Sequence, residues 1–333
     1  SLDDKYIFYS KLDKFHRPRK IFRHEIGKPV KNDILIYEEK NEGFTCGIDI
    51  SSDEKYFLIS TSDHTTSEIY FFKTNEKNPN PKLFKKRQQD IKYSIDSWNN
   101  YFFIHTNKNA EDFKICVCKN SNIKKLTDYV PAEKGVLIGG FSFLNNWMIR
   151  SEVRDALAEL YVRNLKTNKE EKLVVTNEKV ITPSGSIMQK DRNTNKLYVS
   201  FESPNVPGKS YIYDVLTKEK KLVKEEIVPS GHKPEDYIVE RLNCNSHDKR
   251  EIPLTITRHK KTKLDGTANV LLYAYGSYGS TMTPNFSQTK LSLINRDIIW
   301  VTAHVRGGME RGMSWWKEGK MLNKKNTFKD YIS

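Results

Sequence analysis

The sequence predicts an incomplete β-propeller followed by the first part of an α/β domain. Three observations carry this: short strand-like runs that recur 45, 46 and 50 residues apart, loss of that rhythm after residue 228, and two near-continuous apolar runs beyond it.

The repeat is read from the runs KYFLI at 55, NYFFI at 100, NWMIR at 146 and KLYVS at 196. A second run follows each at a fixed offset, because Tyr56 to Tyr70, Tyr101 to Ile115, Trp147 to Tyr161 and Leu197 to Tyr211 are all 14 residues. A third run is centred on Leu83, Leu126, Leu173 and Leu222, after turn-like segments such as KTNEKNPNP and KTNKE. Ile7, Ile21 and Leu35 repeat the spacing as a partial earlier unit. Apolar and polar residues alternate in these runs and Asn, Asp, Gly and Pro break them, which is the pattern of half-buried antiparallel strands. Units of about 45 residues with several strands each describe propeller blades. About five are expected over 1–228. A blade buries its faces only against neighbours, so one or two more are expected on the N-terminal side. The chain begins at Ser1 rather than Met, already inside the strand-like YIFYS, and its true start is expected upstream.

From 229 to 333 the pattern is different. YIVERLNCN and EIPLTITRHK predict two strands, and ANVLLYAYG at 268–276 and DIIWVTAHVRGG at 297–308 predict strands of a mostly parallel sheet buried on both faces. A final helix through Phe328 and Tyr331, capped at Asn326–Thr327, is expected to close the chain. Strand, loop, strand, helix is the order in which such domains place ligand groups at the carboxyl ends of their strands.

Composition narrows the function classes. The net charge of +14 comes from 56 Lys+Arg against 42 Asp+Glu, but the basic residues are scattered, so no nucleic-acid partner is expected. No apolar run reaches the roughly 18 residues of a membrane span, and no signal peptide is present, so no membrane partner is expected either. Cys46, Cys116, Cys118 and Cys244 lack the paired spacings of a zinc site or a disulfide framework. Cys116 and Cys118 point to one face of a strand and read as core or edge residues rather than metal or redox groups. A cytoplasmic protein without metal or cofactor is the expectation.

The stretch LLYAYGSYGSTMTPNFS at 271–287 and the stretch HVRGGMERGMSWWKEGKMLNKKNTFKDY at 304–331 resemble the opening of the catalytic domain in the prolyl oligopeptidase family, within it the oligopeptidase B branch. HRPRKIFRHEIG at 16–27 and ILIYEEK at 34–40 extend the resemblance into the propeller, so that it covers essentially the whole chain. It implies a seven-bladed propeller joined to an α/β-hydrolase domain, and a serine peptidase that cleaves short peptides, in that branch after Lys or Arg.

Such an enzyme needs a nucleophile on a G-x-S-x-G turn, followed in the chain by Asp and His. No G-x-S-x-G occurs in these residues. In the family it lies beyond the helix reached here, so the chain is expected to be inactive alone, its partners being short basic peptides and the C-terminal half of its own enzyme. The histidines do not substitute: His304 ends a buried strand and reads as structural, and His16, His24 and His232 sit among propeller or linker residues. One contributor remains by resemblance, because the tyrosine matching Tyr275 donates its hydroxyl to the oxyanion hole. A purely packing role for Tyr275, stacked at the junction of sheet and propeller, is the competing reading. Tyr278 and Phe286 are expected to pack at that junction.

Two departures matter. Relatives carry acids in the segment matching Thr283 and Asn285, where they hold a basic residue of the peptide; here recognition at that subsite is expected to be weaker or different. Relatives read R-G-G-G-E where this chain has Arg306-Gly307-Gly308-Met309-Glu310, and Met309, which adopts positive φ at greater cost than Gly, is expected to alter the loop. Two other readings stay open: a catalytically dead propeller module that binds peptides or a partner protein, and a truncated product that exposes unpaired strand edges and never folds stably.

Overall fold

Alternation of apolar and polar residues becomes strand pairing throughout the first 225 residues of the computed structural model, which describes residues 1–186 and 193–333. The described strands form six sheets. Five are antiparallel blades in chain order, the first with three strands, Tyr6–Leu12, Pro18–Glu25 and Ile34–Glu38, and the other four with four strands each. The runs predicted from the repeat fall on the second and third strands, as in Tyr56–Ser62 with Ser67–Lys73, and Lys196–Ser203 with Val206–Asp214. Leu83 and Leu222 lie within the last strands of their blades, whereas Leu126 and Leu173 flank theirs, Thr127–Val130 and Glu170–Lys172.

The repeat analysis did not separate the leading strand of each four-stranded blade: Thr45–Ile50, Tyr93–Trp98, Val136–Leu144 and Thr182–Ser186. These carry glycines and small polar residues that blur the period of two. Gly139 and Gly140, for example, sit at a register shift between Ile138 and Phe141.

Close contacts divide the chain into two compact units, Ser1–Ala132 and Glu133–Ser333. In the first, Ile21 packs with Cys46, Phe57, Ile59 and Phe72, and Ile69 packs with Ile95, Phe102, Ile104, Cys116 and Cys118. The two cysteines are thus core residues, and burial pushes the Cys116 thiol up to about 11. In the second unit, Ile149, Leu160 and Val162 of the fourth blade meet Leu197, Val199 and Phe201 of the fifth. Residues two apart on a strand share a face, so Leu197, Val199 and Phe201 enter the core together.

The sixth sheet belongs to the second unit. Tyr237–Asn245 and Glu251–His259 form a hairpin, the latter pairs antiparallel with Ile299–Ala303, and Ile299–Ala303 pairs in parallel with Val270–Tyr273. The helix Gln288–Ile294 lies between the parallel strands in sequence and completes a strand–helix–strand crossover. Ile299–Ala303 is buried as predicted, but Val270–Tyr273 is not: Val270 is 59% and Tyr273 40% exposed. Val270–Tyr273 has one neighbour and forms the edge of the sheet, so its apolar run lacks a second strand. The last helix spans Lys325–Ile332 and begins one residue before the expected cap. Asn326 and Thr327 anchor it instead, the Asn326 amide donating to the Glu318 carbonyl and the Thr327 hydroxyl to the Arg306 carbonyl.

Candidate active site

The Val270–Tyr273 strand runs into the turn Ala274–Gly279, which carries Tyr275. Gly276 has φ +63°, and a side chain there would lie 2.7 Å from Val305 Cγ2. Gly307, at φ +109°, passes so close that a Cβ on it would overlap the Gly276 carbonyl oxygen. The turn is fastened by the Gly279 N–H donating to the Gly307 carbonyl at 3.0 Å and by the Lys324 ammonium donating to the Gly276 carbonyl and, at 2.8 Å, to Ser277 Oγ. Tyr275 itself is 46% exposed, and its hydroxyl has no hydrogen-bond partner among the described residues. Tyr278, expected to pack, projects into solvent at 79% exposure from a backbone of φ +56°. Phe286 does pack, with Tyr237, Leu291 and Ile294.

Thr283 and Asn285 lie on the next loop. Thr283 is half-buried; Asn285 is exposed and accepts a hydrogen bond from the Lys290 ammonium at 3.0 Å. Three contacts hold this loop: the Met282 N–H donates to Glu310 Oε1 at 2.9 Å, Thr182 Oγ1 of the fifth blade donates to the Pro284 carbonyl at 2.7 Å, and the Phe286 N–H donates to Glu202 at 3.3 Å. Tyr275 and the Thr283–Asn285 pair therefore stand on separate loops with one common support, the segment Arg306–Glu310.

That support was under-read in the sequence. Arg306 is almost fully buried, and its guanidinium meets Asp330 through Nε at 2.9 Å and Nη2 at 2.6 Å, and Asp248 through Nη1 at 2.6 Å. Its own N–H donates to Asp330 Oδ2, and Ser246 Oγ donates to Asp330 Oδ1. The Arg306 guanidinium holds the Asp248 carboxyl below the usual range. His247, Asp248 and Asp330 offer the oxygen and nitrogen donors of a metal site, but Arg306 is already the cation between the two carboxylates. At Met309 the backbone does not take positive φ, so the loop accepts it without the expected strain, and its side chain fills the space over Gly279.

Two buried titratable groups flank the loops. Glu310 is 1% exposed, one carboxylate oxygen has no partner, and burial pushes its carboxyl up to about 7. His304 accepts or donates at Thr255 Oγ1 across 2.8 Å, stands beside Arg241, and is driven by burial down to about 3. Its burial follows from its place directly after the buried strand Ile299–Ala303. Asp155, at the tip of the fourth blade's central hairpin, receives both Arg311, at 2.6 Å, and Arg241, at 3.2 Å, while the Ala156 N–H donates to the Glu310 carbonyl. His232 stacks on Tyr237 and donates from Nε2 to the Asn205 carbonyl, and His24 pairs with Asp33 at 2.7 Å.

Comparison with known proteins agrees with this architecture. Residues 2–226 match the model of the prolyl oligopeptidase N-terminal β-propeller domain, and residues 284–333 match that of the prolyl oligopeptidase family. The chain is 33% identical over 319 residues to dipeptidyl aminopeptidase BI of Pseudoxanthomonas mexicana, covering 94% of this chain and 43% of that protein. It is 30% identical to protease 2 of Moraxella lacunata, covering 98% of this chain and 47% of that one. Oligopeptidase B from Trypanosoma brucei, solved with covalently bound antipain, superposes with a TM-score of 0.92 at 28% identity, over 98% of this chain and 48% of that one. The chain thus spans about half the length of the relatives it matches.

Proposed function

The chain belongs to the prolyl oligopeptidase family of serine peptidases, and on that premise we propose that it supplies the propeller and the oxyanion-hole tyrosine of an oligopeptidase that cleaves short peptides after Lys or Arg. The observation that carries this reading is Tyr275: a half-exposed side chain whose hydroxyl has no partner among the described residues, on a turn fastened by glycine geometry and Lys324, after the carboxyl end of a parallel strand. A donor already aimed stabilises a developing oxyanion without reorganising during the reaction.

The nucleophile, acid and base come from the remainder of the hydrolase domain, which adds to the open edge at Val270–Tyr273. Alone, the 333 residues are expected to be inactive, because no G-x-S-x-G occurs in them. Thr283 and Asn285 face the peptide without the acids of relatives, so a second basic residue is held less firmly. We place the domain boundary near residue 229, supported by the last blade strand ending at Glu225 and the next sheet beginning at Tyr237. The four cysteines are free, which supports a cytoplasmic site of action.

The test is hydrolysis of reporter amides ending in Arg or Lys by the full-length protein. Turnover of these and not of a reporter ending in an acidic residue is expected. A well-folded full-length protein that binds such peptides without cleaving them would instead indicate a binding module.

A further inference from the structure

Lys324 is a cation in an unfavourable place. It is half-buried, it occupies the N-cap of the helix Lys325–Ile332, and no carboxylate pairs with it among the described residues. The positive end of the helix dipole repels an ammonium there, and burial lowers its pKa from the usual lysine value. Its protons go to uncharged acceptors, the Gly276 carbonyl and Ser277 Oγ. These belong to the two residues that immediately follow Tyr275. Gly276 is walled in by Val305, Thr327 and Arg306, and Gly279 is tied to Gly307, so the turn has one arrangement and Lys324 closes it.

We propose that Lys324 is a positioning residue that fixes the direction of the Tyr275 hydroxyl by clamping Gly276 and Ser277 to the terminal helix. This rests on the reading of Tyr275 as the oxyanion-hole donor. The ammonium itself touches neither substrate nor nucleophile; it acts through the turn. Its cost at the helix N-terminus is offset by two hydrogen bonds that a neutral side chain of the same length lacks.

A double-mutant cycle in the full-length protein, read with an Arg reporter amide, tests this. Tyr275→Phe is expected to lower kcat by about 100-fold or more. Lys324→Met is expected to lower kcat by about tenfold with KM unchanged within about twofold, and to speed amide exchange in residues 275–280. The double variant is expected to be no slower than Tyr275→Phe alone. Should Lys324→Met lower the melting midpoint, Ser277→Ala carries the same test, with a smaller loss that also vanishes in the Phe background. An undiminished kcat in a folded Lys324→Met, or an equal loss with and without Tyr275, overturns the positioning role while leaving Tyr275 as the donor. A Tyr275→Phe variant with full kcat overturns both.

Discussion

The core between the fourth and fifth blades and the centre around Arg306 solve the same problem with opposite chemistry. Leu197, Val199 and Phe201 exclude water by packing, each fully buried side chain of this kind contributing about 1.5–3 kcal/mol, and no direction is demanded of any of them. Arg306 is buried as deeply, yet its guanidinium contacts are directional: it bonds Asp330 through Nε and Nη2 and Asp248 through Nη1 and Nη2, and stands 3.6 Å from Glu318, with its backbone tied to Asp330 and Thr327. A blade interface tolerates a change of shape better than a change of polarity. The ionic centre tolerates neither, and that is why it supports the two loops that carry the candidate site.

The contrast is sharpest if one partner is removed. Arg306→Leu leaves Asp330 buried and unpaired, and a loss of about 3–5 kcal/mol is expected in chemical denaturation, with Arg306→Lys only partly restoring it because an ammonium lacks the planar fork. A loss no larger than that of a surface substitution would place the stabilisation elsewhere.

Glu310 gives the next largest effect. Its carboxyl is raised by burial from 4.5 to about 7, so the folded state holds a proton that the unfolded state has released. Its contribution is complete below the unfolded pKa and is lost as pH rises from about 4.5 to about 7, a loss of about 3 kcal/mol. His304 has the opposite sign: lowered from 6.5 to about 3, it destabilises as pH falls through that window. The two slopes offset each other between about 4.5 and 6.5. Glu310→Gln should unmask His304, so that the melting midpoint climbs with pH across that range and exceeds the parent's above pH 7. An unchanged profile would mean that Glu310 reaches water. The smallest effect belongs to the blade: Leu197→Met conserves volume and is expected to cost less than about 1.5 kcal/mol.

How legible each region was follows from its physics. The second and third strands of the blades were readable because a half-buried strand must alternate, and the offset of 14 residues repeats through four units. In three of the leading strands Gly47, Gly139, Gly140 and Gly185 remove the side chains that alternation needs, whereas Tyr93–Trp98, without glycine, was not separated from the run that follows it. In the hydrolase opening, an apolar run marked Val270–Tyr273 as a strand but carried no information on how many neighbours it would find. Tyr278 read as a packing aromatic and stands in solvent, on a backbone of positive φ.

Of the candidate site, the sequence itself determined the identity of Tyr275, its place after a buried-type strand, the uncharged residues at Thr283 and Asn285, and the lack of a nucleophile motif in these residues, since each is a matter of residue type and order. Tertiary structure decided what supports them. Arg306 meets Asp330 from 24 residues away and Asp248 from 58, and Lys324 reaches Gly276 across 48. Pairings at such separations leave no period in the sequence. They exist only because the sheet and the terminal helix bring three distant segments to one point, where a buried charge must find its partner or not be buried at all.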